Sequence, residues 1–217
     1  MFPDRLKELI LEGESSTIEF KRKFTTPEKI AKEISAFANT IGGYIIFGID
    51  DDGSVVGVES EKGEIDFIET ACNIYIVPPI EPDIDIIELE GKDVVVVYIH
   101  ESPTKPHKVL IEPDNKKTHK TAYIRVGEQS VIASKEMSRV LAGLNTDSPP
   151  VKLIIGEKEQ RLFAYLESHK RATVLEFANL TNISRRRAER LMVRLVRAGV
   201  LQIHQDTSSD YFTLVGN

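Results

Sequence analysis

A proline pair in the second half of this chain divides it into two parts. Residues 145–150 read Asn-Thr-Asp-Ser-Pro-Pro. Consecutive prolines break a helix and supply no backbone donors, and the residues before them favour turns. The chain has 217 residues, which exceeds the usual length of one domain. We therefore expect a first domain over 1–145, a linker over 146–155 and a second domain over 156–217.

Strand and helix patterns alternate in the first part. A strand pattern over 17–24 places Ile18 and Phe20 on one face, with Glu19 on the other. Thr26-Pro27 is typical of a helix start, and the buried stripe of that helix runs from Ile30 to Ile41. Further strands are predicted over 44–49, 54–58, 83–89, 92–99 and 121–126, and helices near the N-terminus and over 64–75 and 134–144. This mixture predicts an α+β fold with a mixed sheet.

The second part is mainly helical. Helix patterns over 157–168, 173–180 and 184–198 are followed by two short strand patterns over 200–205 and 211–215. A short connection joins the second and third helices, as in helix-turn-helix motifs. This order predicts a small winged helix-turn-helix domain at the C-terminus.

The third of these helices carries a run of arginines. Its apolar residues recur at helical spacing and predict one buried face: Ala188, Leu191, Met192, Leu195 and Val196. The arginines occupy the exposed face and the first turn: Arg185, Arg186, Arg187, Arg190, Arg194 and Arg197. Cations in a first turn oppose the helix dipole, which favours a functional explanation. We interpret the helix as a DNA-recognition helix, since arginine pairs with guanine or grips phosphate. The alternative is a solvated helix, and the acidic strand connection at 206–210 lacks the cations of a usual wing.

Charge is distributed unevenly between the parts. Residues 156–217 hold ten Lys and Arg against seven Asp and Glu, which gives them a net charge of +3. The whole chain has a net charge of −6, so residues 1–155 have a net charge of −9. This argues against a protein that coats nucleic acid nonspecifically. The single cysteine, Cys72, excludes an internal disulfide and a cysteine-based zinc site. No apolar run approaches the ~18 residues of a membrane span, and the N-terminus does not resemble a secretion signal. We expect a cytoplasmic protein with no membrane partner.

Several sequence blocks occur in a distinctive order in the first part. They are Glu-Ser-Ser-Thr-Ile-Glu-Phe-Lys at 14–21, Ala-Phe-Ala-Asn-Thr-Ile-Gly-Gly-Tyr at 36–44, Gly-Ile-Asp-Asp-Asp-Gly at 48–53, Pro-His-Lys at 106–108 and Ala-Tyr-Ile-Arg-Val-Gly at 122–127. This ordered set resembles the Schlafen AlbA-2 family, over about residues 4–145. Many microbial members that carry a winged helix behind this domain are described as transcriptional regulators.

The resemblance implies two different activities. The domain is usually described as DNA-binding, by analogy of fold with a chromatin protein. In some mammalian Schlafens it is a metal-dependent endoribonuclease acting on structured RNA such as tRNA. The metal-binding and catalytic residues there correspond to Glu14, Glu19 and either Asp50 or Asp51 of this sequence, with Asp51 favoured by ungapped counting.

The chemistry of these residues suits a cation. Mg²⁺ and Mn²⁺ prefer oxygen ligands, and converging carboxylates can hold an ion that activates water. Lys21 and Lys23 share the strand face of Glu19 and are candidate phosphate contacts. The alternative is an exposed, charge-paired strand face beside an ordinary aspartate-rich turn. Lys108 and Arg125 in the later blocks are further candidate nucleic-acid contacts.

A lysine-rich segment adds to these candidates. Residues 105–120 contain five lysines and two histidines against two acidic residues. Segregated positive charge of this kind can steer a nucleic acid to one face. A solvated loop without a partner is an equally good interpretation of the pattern.

Three hypotheses follow. The first is a DNA-binding transcriptional regulator that reads duplex DNA through the winged helix and forms a homodimer. The second is an endoribonuclease that uses Mg²⁺ or Mn²⁺; a cofactor is expected only in this case. The third is a protein-interaction module, which the arginine face disfavours.

Overall fold

The helices and strands follow the alternation that the sequence predicts. The computed structural model describes residues 1–111, 119–145, 154–206 and 209–216. The chain divides into two units, Met1–Ile132 and Ala133–Asn217. Most of the expected linker, residues 146–153, lies outside the described residues. The α+β fold class is confirmed.

The first unit combines helices with two four-stranded sheets. Its helices are α1 (Pro3–Glu12), α2 (Pro27–Asn39) and α3 (Glu61–Thr70), which a π-helical turn over Ala71–Tyr75 continues. Its strands are β1 (Ile18–Lys21), β2 (Gly43–Phe47), β3 (Ile76–Val77), β4 (Asp83–Leu89), β5 (Lys92–Ile99), β6 (Lys108–Leu110), β7 (Lys120–Val126) and β8 (Gln129–Ile132). One sheet has the order β1-β2-β5-β4, in which only β1 and β2 are parallel. The other has the order β3-β6-β7-β8 and is antiparallel throughout.

Helix α2 supplies the centre of this unit. The Thr26 hydroxyl caps it by accepting from the Lys29 backbone N–H at 3.3 Å, as the Thr-Pro start predicts. Its buried face, with Ile34 and Phe37, joins one apolar core that reaches strands of both sheets. A second core lies between α1 and the first sheet and contains Leu6. Helix α2, which contains the start of the motif block at 36–44, is therefore packed against strands of both sheets.

Some predictions for this unit are wrong. Ile41 is 58% exposed because α2 ends at Asn39, so the buried stripe is shorter than expected. The segment 54–58 forms one isolated bridge, Ile49 to Val55, instead of a strand. The short strands β3, β6 and β8 have too few residues to show an alternating pattern, and the sequence did not indicate them.

The second unit begins earlier than expected. Its elements are α4 (Lys135–Gly143), α5 (Glu157–His169), α6 (Val174–Thr181), α7 (Arg185–Arg197), β9 (Leu201–His204) and β10 (Tyr211–Leu214). The two strands form an antiparallel hairpin. Phe177, Met192 and Phe212 pack in the core of this unit. Helix α4, which was expected to close the first domain, packs along α7 instead, so the boundary lies after Ile132 rather than near 145.

Within the described ranges, no helix combines the length and the apolar character needed to cross a bilayer.

Candidate functional site

Helix α7 presents a row of arginines to solvent. Its opposite face is buried through Ala188, Met192 and Leu195. The exposed arginines are Arg185, Arg186, Arg187, Arg190 and Arg194. In the described part of the chain, no carboxylate lies within 4.0 Å of the last four of these, so their charge is not neutralised within the fold.

Helix α4 occupies one flank of α7. Arg139 of α4 forms an ion pair with Glu189, an acid that is only 8% exposed. Glu136 lies 3.8 Å from Arg185, and the Gly143 carbonyl accepts a hydrogen bond from Arg197 Nε at 3.0 Å. Arg185 and Arg197 are therefore partly engaged. The sequence did not reveal the role of Glu189, because its partner lies on a distant segment.

The acidic candidate in β1 is buried, contrary to the exposed face expected from the strand pattern. Glu19 is 8% exposed, and its Oε2 accepts from Arg125 Nη1 at 2.9 Å. Lys21 pairs with its other carboxylate oxygen. Glu19 thus has a cation on each oxygen, and its charge is compensated within the fold.

Arg125 is a buried partner of this carboxylate. Its side chain is fully enclosed, and its Nη2 donates to the Ser15 carbonyl at 2.7 Å. Its Nη1 also lies 3.3 Å from Glu33 Oε2, and the guanidinium stacks 4.6 Å from the centre of the Phe37 ring. The prediction that Arg125 contacts nucleic acid is therefore corrected, since the enclosed guanidinium holds β7 to β1 and α2.

Two of the other acidic candidates, Glu14 and Asp50, also accept from donors of the chain, whereas Asp51 is exposed. Glu14 Oε1 accepts from the Phe20 backbone N–H at 2.9 Å. Asp50 pairs with Arg22 at 2.6 Å, and its Oδ1 accepts from the Asp51 backbone N–H at 3.2 Å.

These acids do not fit a metal site as they are arranged. Within the described ranges, no three Asp, Glu, His or Cys side chains converge where they could hold a metal ion. Glu14 and Glu19 direct carboxylate oxygens at donors of the chain itself. The predicted set of Glu14, Glu19 and Asp51 is therefore not brought together as a cation cage.

The lysine candidates are in different environments. Lys21 is half-buried and paired with Glu19, Lys23 is exposed, and Lys108 is half-buried in β6. In the lysine-rich segment, Lys105 is buried and its Nζ donates to the Thr40 carbonyl at 2.9 Å. Residues 112–118 of that segment lie outside the described residues.

A buried polar cluster connects three of the motif blocks. Asn39 Nδ2 donates to the carbonyl oxygens of His107 at 2.8 Å and Tyr123 at 2.9 Å. His107 Nδ1 lies 2.7 Å from the Pro78 carbonyl, and its Nε2 lies 2.6 Å from Ser102 Oγ. A carbonyl only accepts, so Nδ1 carries the proton and Nε2 accepts from the serine hydroxyl. Burial lowers the pKa of His107, with a smaller effect from the nearby Lys105 ammonium.

Comparison with known proteins gives the family. The sequence profile described as Schlafen, AlbA_2 matches residues 14–134, which confirms the resemblance found in the motif blocks. The DIP2311 protein from Corynebacterium diphtheriae is 18% identical with a TM-score of 0.48, over 73% of this chain and 36% of that one. The N-terminal domain of a RecG-related protein from Nitrosomonas europaea is 26% identical with a TM-score of 0.40, over 58% of this chain and 88% of that domain. The profile match spans more than half of the sequence, and the chain belongs to the Schlafen, AlbA_2 family.

Proposed function

We propose that this chain is a nucleic-acid-binding protein that contacts duplex DNA through α7 and acts as a transcriptional regulator. The observation that carries the proposal is the set of exposed arginines on α7 without a carboxylate partner in the described ranges. Four cations on one helix repel one another, and an external polyanion would relieve that repulsion.

The surrounding elements support this use of the helix. A short turn at Asn182 joins α6 to α7, and the β9–β10 hairpin follows, which is the order of a winged helix. In such domains the second helix of the helix-turn-helix enters the major groove. Arg186 and Arg190 project from the side opposite the buried Ala188 and Met192, where base edges or phosphates could be reached.

The endoribonuclease alternative receives less support from the arrangement of the acids. Glu19 is held by Arg125 and Lys21, and Glu14 holds the Phe20 backbone. Both carboxylates have a role in stabilising the fold. The nuclease is therefore kept as an outcome of the experiment and not as a second proposal.

The test measures binding and cleavage in one series. Fluorescence anisotropy with labelled duplex DNA compares the wild type, an Arg186→Ala/Arg190→Ala variant and an Arg5→Ala control, in which an exposed arginine of α1 is lost. We expect the α7 variant to bind at least about tenfold more weakly, because charge-assisted phosphate or base contacts are lost, and the control to bind like the wild type. Equal affinity in all three proteins would refute the proposal.

The cleavage arm uses labelled tRNA with Mg²⁺, with Mn²⁺ and with EDTA. Glu14→Gln is the informative variant, because its amide oxygen can still accept from Phe20 while its negative charge is lost. Metal-dependent cleavage that Glu14→Gln abolishes would establish the nuclease.

A homodimer is proposed because two-fold symmetry is common among helix-turn-helix proteins. A monomer mass by light scattering, with and without duplex, would refute it.

A further inference from the structure

A groove of about 650 Å³ lies within the second unit, between the first turns of α5 and one flank of α7. This is the flank that α4 leaves uncovered. Arg187, Arg190 and Arg194 line it from α7, and Lys158 and Arg161 line it from α5. The volume falls in the range of about 300–1,000 Å³ that is usual for small-molecule sites.

The acids of the groove are already engaged. Glu157 Oε1 accepts from Arg161 Nη2 at 2.6 Å, and Glu159 Oε2 accepts from the Gly156 backbone N–H at 3.0 Å. Lys158 and the three α7 arginines have no ion-pair partner in the described ranges. The groove therefore carries an excess of positive charge that no ion pair among the described residues neutralises.

The donor types favour a phosphate group. A guanidinium group donates two N–H hydrogen bonds to phosphate oxygens at once. Several guanidinium groups therefore bind a compact anion from more sides than a single lysine does. The recess lies between two helices, which suits a compact ligand more than the outer surface of a duplex. Glu157 also lines the groove, where its carboxylate can accept from a ligand hydroxyl or amino group.

We propose that this groove binds a small phosphorylated molecule, and that its binding releases duplex DNA from α7. The release follows because Arg190 contributes both to the groove and to the proposed DNA-contacting face. Two ligands that require the same side chain compete, so the small molecule would act as an effector of the regulator. The competition rests on the proposed function, whereas the binding of a phosphate compound does not.

The first experiment measures binding without DNA. Calorimetry on the full chain uses inorganic pyrophosphate as the probe and citrate as an anion without phosphate. The groove variant is Lys158→Gln/Arg161→Gln, and the control is Arg171→Gln, which removes an exposed arginine of the same unit outside the groove. We expect pyrophosphate to bind the wild type and the control equally, and the groove variant at least about tenfold more weakly.

Three results would refute the proposal that the groove binds a phosphate compound. They are no pyrophosphate binding to the folded wild type, equal binding of citrate, and an equal loss in the groove variant and the control. Far-ultraviolet circular dichroism of each variant shows that a loss of binding does not reflect unfolding.

The second experiment adds labelled duplex. We expect pyrophosphate to release DNA from the wild type but not from the groove variant, which should retain its DNA affinity. If the groove variant binds duplex as weakly as the Arg186→Ala/Arg190→Ala variant, the groove belongs to the DNA contact and the effector proposal is wrong. A chain that binds pyrophosphate but no duplex would refute the proposed function and leave the phosphate site supported.

Discussion

Asn39 and His107 exchange hydrogen bonds in both directions. The amide Nδ2 donates to the His107 carbonyl and the His107 backbone N–H donates to Asn39 Oδ1, each at 2.8 Å. Lys108 pairs with Ala122 across β6 and β7, so His107 stands where these strands begin to separate. The last residue of α2 therefore supplies the hydrogen bonds that the strands no longer make with each other.

Replacing Asn39 by Asp should lower the free energy of unfolding by about 3 kcal/mol or more. The carboxylate keeps the shape but cannot donate to the two carbonyl oxygens, and it is buried as a charge. Urea denaturation measures the change. Asn73→Asp, at an exposed amide that donates to the Glu69 carbonyl, is the matched control and should cost less than about 1 kcal/mol. Equal losses at the two positions would contradict this role of Asn39.

Acidification should destabilise the first unit through His107. Burial lowers the pKa of His107 below its ordinary value of 6.5, so the unfolded chain binds this proton more readily than the folded chain. The contribution of His107 to stability is therefore present above pH 6.5 and is lost as the pH falls below it. Urea denaturation at several pH values between about 7.5 and 5.5 should show a falling free energy of unfolding. His107→Gln should have a shallower dependence; an unchanged slope would assign the effect to other groups.

Breaking the Glu19–Arg125 pair should be costly and should not act through DNA. Arg125→Met leaves Glu19 buried beside Glu33 without its guanidinium, and we expect a loss of about 3–5 kcal/mol. The double variant Glu19→Leu/Arg125→Met should recover part of this loss, because the buried Glu19 carboxylate is removed together with its guanidinium partner. Arg5→Met removes exposed ion pairs of α1 and should cost less than about 1 kcal/mol.

The same variants test the corrected role of Arg125. The double variant, if folded, should bind duplex DNA with the affinity of the wild type. A selective loss of DNA affinity with stability unchanged would restore Arg125 as a nucleic-acid contact.

Replacing Gly43 by Ala should destabilise the sheet of β1 and β2. An added Cβ would lie 2.5 Å from the Thr17 carbonyl oxygen and 2.7 Å from the Phe37 ring. One neighbour is a backbone carbonyl that accepts from the Tyr44 N–H, and the other is a fully buried ring. Because neither can move away freely, we expect a loss of about 2–3 kcal/mol in thermal or urea denaturation. Gly91→Ala is the control: its φ of +73° is strained for alanine, but nothing lies within 4 Å, so about 1 kcal/mol should be lost. A smaller loss of stability at Gly43 than at Gly91 would show that the neighbouring residues shift to accommodate the added methyl group.

Local patterns were sufficient where neighbours along the chain decide the structure. The strands Asp83–Leu89 and Lys92–Ile99 were predicted with the bounds that the structure has, because a turn at Glu90-Gly91 and apolar residues mark them. The burial of Glu19 depends instead on Arg125, 106 residues away. Glu189 likewise looks like one more charge of an exposed helix until Arg139 is placed beside it. Pairings of this kind require the tertiary structure, and they changed the interpretation of the candidate site most.

The arginines of α7 should differ in their effect on the salt dependence of DNA binding. Each phosphate contact releases counterions and contributes about −0.9 to the slope of log K against log salt concentration. Arg190 has no carboxylate within 4.0 Å in the described ranges, whereas Arg185 lies near Glu136 and Arg197 donates to the Gly143 carbonyl.

We therefore expect Arg190→Ala to reduce the slope by about one unit, as the loss of one phosphate contact requires. Arg185→Ala and Arg197→Ala should change it less, because part of their binding capacity is already used within the fold. Anisotropy titrations at four salt concentrations give the slopes. If Arg185→Ala has the largest effect, the flank of α7 beside Glu136 belongs to the DNA contact.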